Sequence, residues 1–288
     1  MQHDLYRFRP VGARSDEVKL VKRLMNAQSV DSRPLLAVEG LWAYERILEN
    51  PGCLKVFLFD PESVSNEHEA QIVELLASAS ERTYTISGRV SRMLTNRDNP
   101  TGYFCVCELP PVDLREVSPG DSSLVVVLDQ LDSPGNIGTI LRVAEGAGCD
   151  LVISCDSKVS RLHPKLAKAS MGAVFTVPTV ECSSSEAIAW LKEHGYRVVI
   201  SDPHADSYYY QIDYTGNVAV VLGNEHRGLS DAWRNHGFTM ISIPMHGKCD
   251  SLNVATAAAV VIYEASLHRS SDAFRRLRSC LCQQNHEL

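Results

Sequence analysis

The sequence predicts an α/β protein in two parts: a small αβ domain, then a larger domain built on a parallel sheet with helices on both faces. Three observations predict it. The chain has 288 residues, room for two domains at about 150 residues each. Its composition, 44% hydrophobic and 22% charged, is enough for two cores and excludes a chain disordered along most of its length. Its second half alternates near-continuous Val/Ile/Leu runs with helical spacing, the pattern of strands buried on both faces.

Each element follows from local pattern. Asp16 to Asn26 places Val18, Val21, Leu24 and Met25 at helical spacing. After Pro34, LLAVEG reads as a short strand, and LWAYERILEN as a helix stopped by Pro51-Gly52. KVFLFD (55–60) is a strand; Glu67 to Ala79 is a helix with Ile72, Leu75, Leu76 and Ala79 on one face. TYTI is a strand, Gly88 to Leu94 a helix, and Tyr103 to Leu109 a strand. Residues 1–30 form a basic N-terminal extension with its helix, 31–109 a small domain, and 110–121 a linker marked by Pro110-Pro111 and Pro119-Gly120-Asp121. The second domain spans 122–268. LVVVLD (124–129), DLVIS, FTVPTV, YRVVIS, NVAVVL and MISIP read as strands. Ile137 to Gly146, 164–171, Ser185 to His194 and Leu252 to His268 read as helices. Residues 269–288 are a tail whose only feature is its arginines, Arg275, Arg276 and Arg278.

No apolar run reaches the length of about 20 residues that a membrane span needs. The opening MQHDLYRFRP lacks the apolar core of a secretory signal. The nine cysteines are an odd count in a long chain, which reads as reduced thiols in the cytoplasm rather than a disulfide framework. The pairs Cys105/Cys107 and Cys280/Cys282 lack zinc-spaced partners, so no metal site is expected. Net charge is −7, but its distribution matters more than its sum. Residues 39–81 and 108–133 are acidic. Residues 1–33 are basic, as are 86–103 with Arg89, Arg92 and Arg97 against Asp98, and 158–168 with Lys158, Arg161, Lys165 and Lys168. Basic clusters on an acidic body can line a phosphate-contacting face or simply be solvated helix surface.

Ligands of doubly wound sheets bind beyond the carboxyl ends of the strands, and three strand ends carry unusual loops. They are Asp129 to Arg142 (DQLDSPGNIGTILR), Leu222 to Leu229 (LGNEHRGL) and Ile243 to Asn253 (IPMHGKCDSLN). Any one alone is explained as turn, glycine and helix-cap chemistry. Other catalytic signatures are missing: no G-x-G-x-x-G after a strand, no G-x-x-x-x-G-K-[ST], no G-x-S-x-G and no H-E-x-x-H.

Taken together, in order and at their spacing, the loops are far more specific. Asn136-x-Gly138-x-x-x-Arg142, Leu222-Gly223-Asn224-Glu225 with Gly228, and Ile243-Pro244-Met245 with Ser251-Leu252-Asn253 resemble the three motifs of the SpoU (TrmH-like) RNA ribose 2′-O-methyltransferases. The resemblance covers roughly residues 122–268; residues 31–109 look like the small substrate-binding domain that precedes the methyltransferase domain in many members. His226 and the stretch His246-Gly-Lys-Cys-Asp depart from the usual small or polar residues at those places. Lys248 and His246 read first as variable loop.

The resemblance implies a trefoil-knotted methyltransferase domain, an exception to unknotted chains, behind an RNA-binding domain. It implies S-adenosylmethionine held by backbone groups around Leu222, Gly223, Ile243, Met245 and Leu252. It implies a homodimer with active sites near the subunit interface; the almost wholly apolar VATAAAVVIYEA (254–265) must be buried on more than one side, which a dimer interface or core burial alone would explain. Arg142, Asn136, Glu225, Ser251 and Asn253 carry over as the polar active-site positions. Arg142 is the motif arginine that activates the ribose hydroxyl. Its guanidinium, with a pKa above about 12, suits an electrostatic anchor for phosphate and developing alkoxide better than a base, unless the site depresses that pKa. Asn136 and Asn253 would orient ribose and loops, Glu225 would hold Arg142 or its own loop, and Ser251 would cap the last helix. The expected substrate is ribosomal RNA, as a housekeeping or antibiotic-resistance modification, with tRNA the nearer alternative. A non-catalytic RNA-binding relative is the alternative of another class, disfavoured by the intact polar positions. A nicotinamide-dependent oxidoreductase is disfavoured by the missing glycine fingerprint.

Overall fold

The computed structural model describes residues 5–30, 33–95 and 99–269. Arg97, Asp98, the C-terminal arginines and Cys280/Cys282 lie outside them. The chain divides into two compact units. Unit 1 comprises residues 1–111 with 161–176, and unit 2 comprises 112–160 with 177–288.

Unit 1 holds a four-stranded sheet in the order β1-β4-β2-β3, with β1 at Leu35–Glu39, β2 at Leu54–Phe59, β3 at Arg82–Thr85 and β4 at Tyr103–Glu108. Strand β4 runs antiparallel to both β1 and β2, while β2 and β3 are parallel. Its helices are α1 (Asp16–Met25), α2 (Tyr44–Leu48), α3 (Glu67–Ala79) and α4 (Gly88–Leu94). Ser15, Asn66 and Ser87 cap α1, α3 and α4 with their side-chain oxygens, satisfying N–H groups that have no partner within the helix. The expected helix over 41–50 is shorter: Gly40, at φ +97°, turns the chain into a 3-10 turn at Leu41–Ala43 before α2.

The unit takes in more than residues 31–109. Helix α1 is part of its core, with Val18, Val21 and Leu24 buried beside Val90, Leu94 and Phe104. Residues 161–176 also fold with it, including α6 (Pro164–Ala169). Arg161 is buried and donates to the carbonyls of Leu109 and Pro110, satisfying donors that burial would otherwise leave unpaired.

Unit 2 is a six-stranded, wholly parallel sheet in the order β10-β8-β9-β5-β6-β7. The strands are β5 (Leu124–Asp129), β6 (Leu151–Cys155), β7 (Thr179–Cys182), β8 (Arg197–Ser201), β9 (Val218–Leu222) and β10 (Thr239–Ile241). Strands β5, β6 and β9 are buried at every position, as a sheet covered on both faces requires. Val125, Val127, Ile153, Val198 and Val221 face a core closed by Leu191 of α7 (Ser184–Glu193) and Trp233 of α8 (Asp231–Arg234). Helices α5 (Pro134–Gly146) and α9 (Val254–Arg269) pack on each other, and α9 also packs on β5 and β9. The strand expected at FTVPTV begins later. Gly172, at φ +94°, starts a 3-10 turn at Ala173–Phe175, and pairing with β6 begins only at Thr179. Pro178 has no N–H to donate to a ladder.

Because all six strands are parallel, their C-terminal ends lie along one edge of the sheet. The loops after β5, β8, β9 and β10 emerge there.

Candidate active site

A cleft of about 710 Å³ opens at that edge, in the size range of small-molecule sites. The ends of β8 and β9 and the loop after β10 form it. Leu222, Gly223, Ile243, Met245 and Leu252, the five residues expected to hold a cofactor, all line it. So do Glu225, Ser251 and Asn253. The sequence reading did not single out Ser201, Asp202, Pro203 and His204, which also line the cleft. Their only signal was position, since they follow the buried strand β8.

The 222–229 loop is held shut by backbone geometry. A Cβ on Gly223 would come within 2.7 Å of the Gly228 carbonyl carbon and 2.8 Å of the Leu229 nitrogen, closer than packed atoms approach. Any side chain there forces the loop apart. Asn224, also outside the expected set, is its main fastener. It is 4% exposed. Its amide donates to the Gln130 carbonyl at 2.7 Å and to Asp132 at 3.1 Å, and its Oδ1 accepts from the His226 and Arg227 backbone N–H groups. The Asn224 and Gly228 backbones exchange two hydrogen bonds of 2.9 Å each, with Gly228 at φ +66°. Arg227 adds an ion pair to Asp132 at 2.9 Å. The loops after β5 and β9 are therefore one structure.

Asp129, at the end of β5, anchors it from below. It is fully buried, and accepts from the Ser230 N–H at 2.6 Å, the Ser230 hydroxyl at 3.1 Å and the Ser184 hydroxyl at 3.1 Å. Three donors offset the cost of burying a carboxylate.

At the rim, a hydrogen-bonded chain joins all three motif loops. Asn253 Nδ2 donates to Asn136 Oδ1 at 3.3 Å, and Asn136 Nδ2 donates to Glu225 Oε1 at 2.5 Å. This fixes the orientation of the Asn136 amide and leaves it one N–H for a ligand. Asn253 also caps α9, its Oδ1 accepting from Ala255 N–H at 3.0 Å; the cap is this residue and not the expected Ser251, which sits two residues earlier on the cleft wall. Glu225 holds Asn136 rather than Arg142. Arg142 does not line the cleft: it is exposed, and its side chain has no hydrogen bond or ion pair among the described residues. Six residues along α5 carry it about 9 Å from Asn136 and about a third of a turn around the axis. Among the described residues no cluster could hold a metal ion, and no helix is long and apolar enough to cross a membrane.

Fold and cleft together define a doubly wound α/β protein with a ligand site beyond its strand ends, whose polar rim is built from three separate loops. The SpoU rRNA Methylase family model matches residues 123–263, and the chain belongs to that family. It is 26% identical over 252 residues to the 23S rRNA (guanosine(2553)-2′-O)-methyltransferase RlmP of Bacillus subtilis, covering 87% of this chain and 96% of that one. It is 35% identical over 178 residues to a 23S rRNA (uridine(2479)-2′-O)-methyltransferase of Streptomyces viridochromogenes, covering 60% of this chain and 62% of that protein. The crystal structure of the AdoMet-bound rRNA methyltransferase from Sinorhizobium meliloti superposes with a TM-score of 0.79 at 26% identity, over 91% of this chain and 98% of that one.

Proposed function

We propose that this chain transfers a methyl group from S-adenosylmethionine to a ribose 2′-oxygen of ribosomal RNA. The single observation that carries the proposal is that two of the motif loops line one cleft and the third is tied to its rim through the Asn253–Asn136–Glu225 chain. The rRNA-acting relatives favour rRNA over tRNA.

The cleft suits the cofactor. Leu222, Ile243, Met245 and Leu252 give apolar walls for an adenine ring, and the side-chain-free Gly223 leaves loop backbone within reach of polar atoms. When bound, S-adenosylmethionine supplies an electrophilic methyl group. The ribose hydroxyl must lose its proton as it attacks, and alignment of the two groups contributes several kcal/mol. Asn136 presents its free N–H to the ribose, and Asn253 and Glu225 hold the amide in place. Ser251 offers a hydroxyl on the cleft wall. Arg142, exposed on α5 and outside the cleft of its own chain, would act as an electrostatic anchor for an RNA phosphate and the developing alkoxide only at a site shared across the proposed homodimer; a guanidinium is too weak a base to take the proton unaided.

The proposal includes a trefoil knot in the methyltransferase domain, unit 1 as the RNA-binding domain, a cytoplasmic location and a homodimer. The α5–α9 surface supports the homodimer. Tyr263 is 47% exposed there, beside half-buried Ala259 and Val260. A second copy seated on it would cover this apolar strip and the face of α5 that carries Arg142.

The test is transfer of labelled methyl from S-adenosylmethionine to unmodified rRNA and tRNA, followed by nuclease digestion. Label in a 2′-O-methylnucleoside of rRNA is the expected result. Label only in tRNA would change the substrate; no label and no cofactor binding would favour the non-catalytic RNA-binding relative.

A further inference from the structure

Unit 1 carries a basic face built by the N-terminal segment, α1 and α4. Alternation along its strands puts Leu35, Ala37, Val56, Leu58, Phe104 and Val106 in one core with α1 and α4, which pack on each other. Helix α3 packs on β2 and α2, and its buried Ala70, Ile72, Val73 and Leu76 are absent from that core; it covers the other face. The N-terminal segment wraps from one face to the other. Phe8 meets Phe59 edge-on at 5.6 Å and Arg7 pairs with Glu74 of α3. Pro10 then bridges to Thr85 on the edge strand β3, and α1 follows on the opposite face.

That wrapping sorts the charge. The α1–α4 face exposes Arg9, Arg14, Lys19, Lys22, Arg23, Arg89 and Arg92, against Asp16 and the half-buried Glu17. Helices α2 and α3 carry Glu45, Glu67, Glu69 and Glu74 against Arg46, and α6, which packs on β1, adds exposed Lys165 and Lys168. Lys19 pairs with Asp16 and Arg23 bonds the Ser29 carbonyl. Arg9, Arg14, Lys22, Arg89 and Arg92 have no side-chain partner among the described residues. A concentration of unpaired cations on a protein of net charge −7 sets up a local positive field that draws polyanions. Neither helix holds an aromatic residue on which unpaired bases could stack. The chemistry therefore fits the regular phosphates of a duplex rather than single-stranded bases.

We propose that the α1–α4 face is a phosphate-tracking surface for double-stranded RNA, read without regard to sequence. This rests on RNA being the substrate. It assigns to the N-terminal segment and α4 the sequence-independent part of the affinity, leaving the choice of nucleotide to other contacts.

The test is fluorescence anisotropy of the full chain with a labelled RNA duplex of about 20 base pairs, titrated over a range of KCl concentrations. Removing four cations in Arg14→Ala/Lys22→Ala/Arg89→Ala/Arg92→Ala is expected to weaken binding at about 100 mM KCl by at least about tenfold, and to flatten the log Kd against log [KCl] slope by about three. Thermal midpoint and S-adenosylmethionine affinity should not change, because these side chains are exposed and unpaired. The double variant Arg115→Ala/Lys192→Ala, which removes two cations from unit 2, should leave the slope nearly unchanged. A quadruple variant with wild-type duplex affinity and slope would overturn the proposal. So would a wild-type chain that binds anionic phosphatidylglycerol vesicles but not the duplex. If such a wild type still transfers methyl to RNA, only this surface is refuted; if it neither binds RNA nor transfers methyl, the proposed function fails too.

Discussion

The two units solve the covering of a sheet differently. Unit 1 has a small mixed sheet with helices on both faces, α1 and α4 forming the basic one. Unit 2 has six parallel strands whose ends all fall on one edge. A mixed sheet sends its strand ends, and its loops, both ways; a parallel one gathers them. The parallel unit can therefore bring residues as distant in sequence as Asn136, Glu225 and Asn253 into one hydrogen-bonded chain. The mixed unit presents faces instead, and faces suit a large charged partner better than a small ligand.

Four outcomes would sharpen or break that division. The largest is Phe57→Ala. Phe57 is fully buried in unit 1 and stacks on Phe59, and truncation should cost about 3–5 kcal/mol. A denaturant titration should show the loss, while calorimetry at low temperature should find S-adenosylmethionine affinity unchanged. Lost cofactor affinity in a still-folded variant would break the division of labour.

Gly223→Val comes next. Its side chain would be driven into the Gly228–Leu229 backbone, and cofactor affinity should fall by about 100-fold or more, about 2.7 kcal/mol. Asn224→Ala removes bonds to Gln130, Asp132, His226 and Arg227. It should cost about 1–3 kcal/mol of stability, read as a lower thermal midpoint, and weaken the cofactor by about tenfold.

The smallest is a pH effect. The Thr215 hydroxyl and backbone N–H, then Arg197, hold the Asp213 carboxyl down at about 2. A depressed folded pKa stabilises the protein above the unfolded carboxylate pKa of about 3.9, and that contribution is lost as pH falls toward 2. Asp213 is more than half exposed, so solvent screening limits the gain to below about 1 kcal/mol. Asp213→Asn should lower stability slightly at neutral pH, and the difference from wild type should vanish in acid titration by about pH 2.

Much of this was legible in the sequence. Unbroken Val/Ile/Leu runs announced the parallel sheet, since strands covered on both faces leave no room for alternation. The five expected cofactor residues line one cleft because strand ends of a parallel sheet share an edge. What escaped was set by tertiary contact. Asn224 read as a turn residue, yet it is buried and fastens its loop to Gln130 and Asp132, 94 and 92 residues earlier in the chain. Asp129 read as the last residue of a strand, and its three donors come from Ser184 and Ser230, far along the chain. The cap of α9 fell on Asn253 rather than Ser251, because the helix starts two residues later than its apolar pattern suggests. The basic N-terminal residues read as an extension; only the wrapping of Phe8, Pro10 and α1 around β3 shows them to be part of unit 1.

The central claim is that three loops make one methyl-transfer site, in which Asn136 is the oriented polar contact to the ribose. The direct measurement is single-turnover methyl transfer to rRNA by Asn136→Ala, alongside its S-adenosylmethionine dissociation constant. The account predicts a rate lower by about 100-fold with cofactor affinity within about threefold of wild type, because Asn136 stands at the rim and not on the cleft wall. A wild-type rate, or a loss accounted for wholly by weaker cofactor binding, would contradict it.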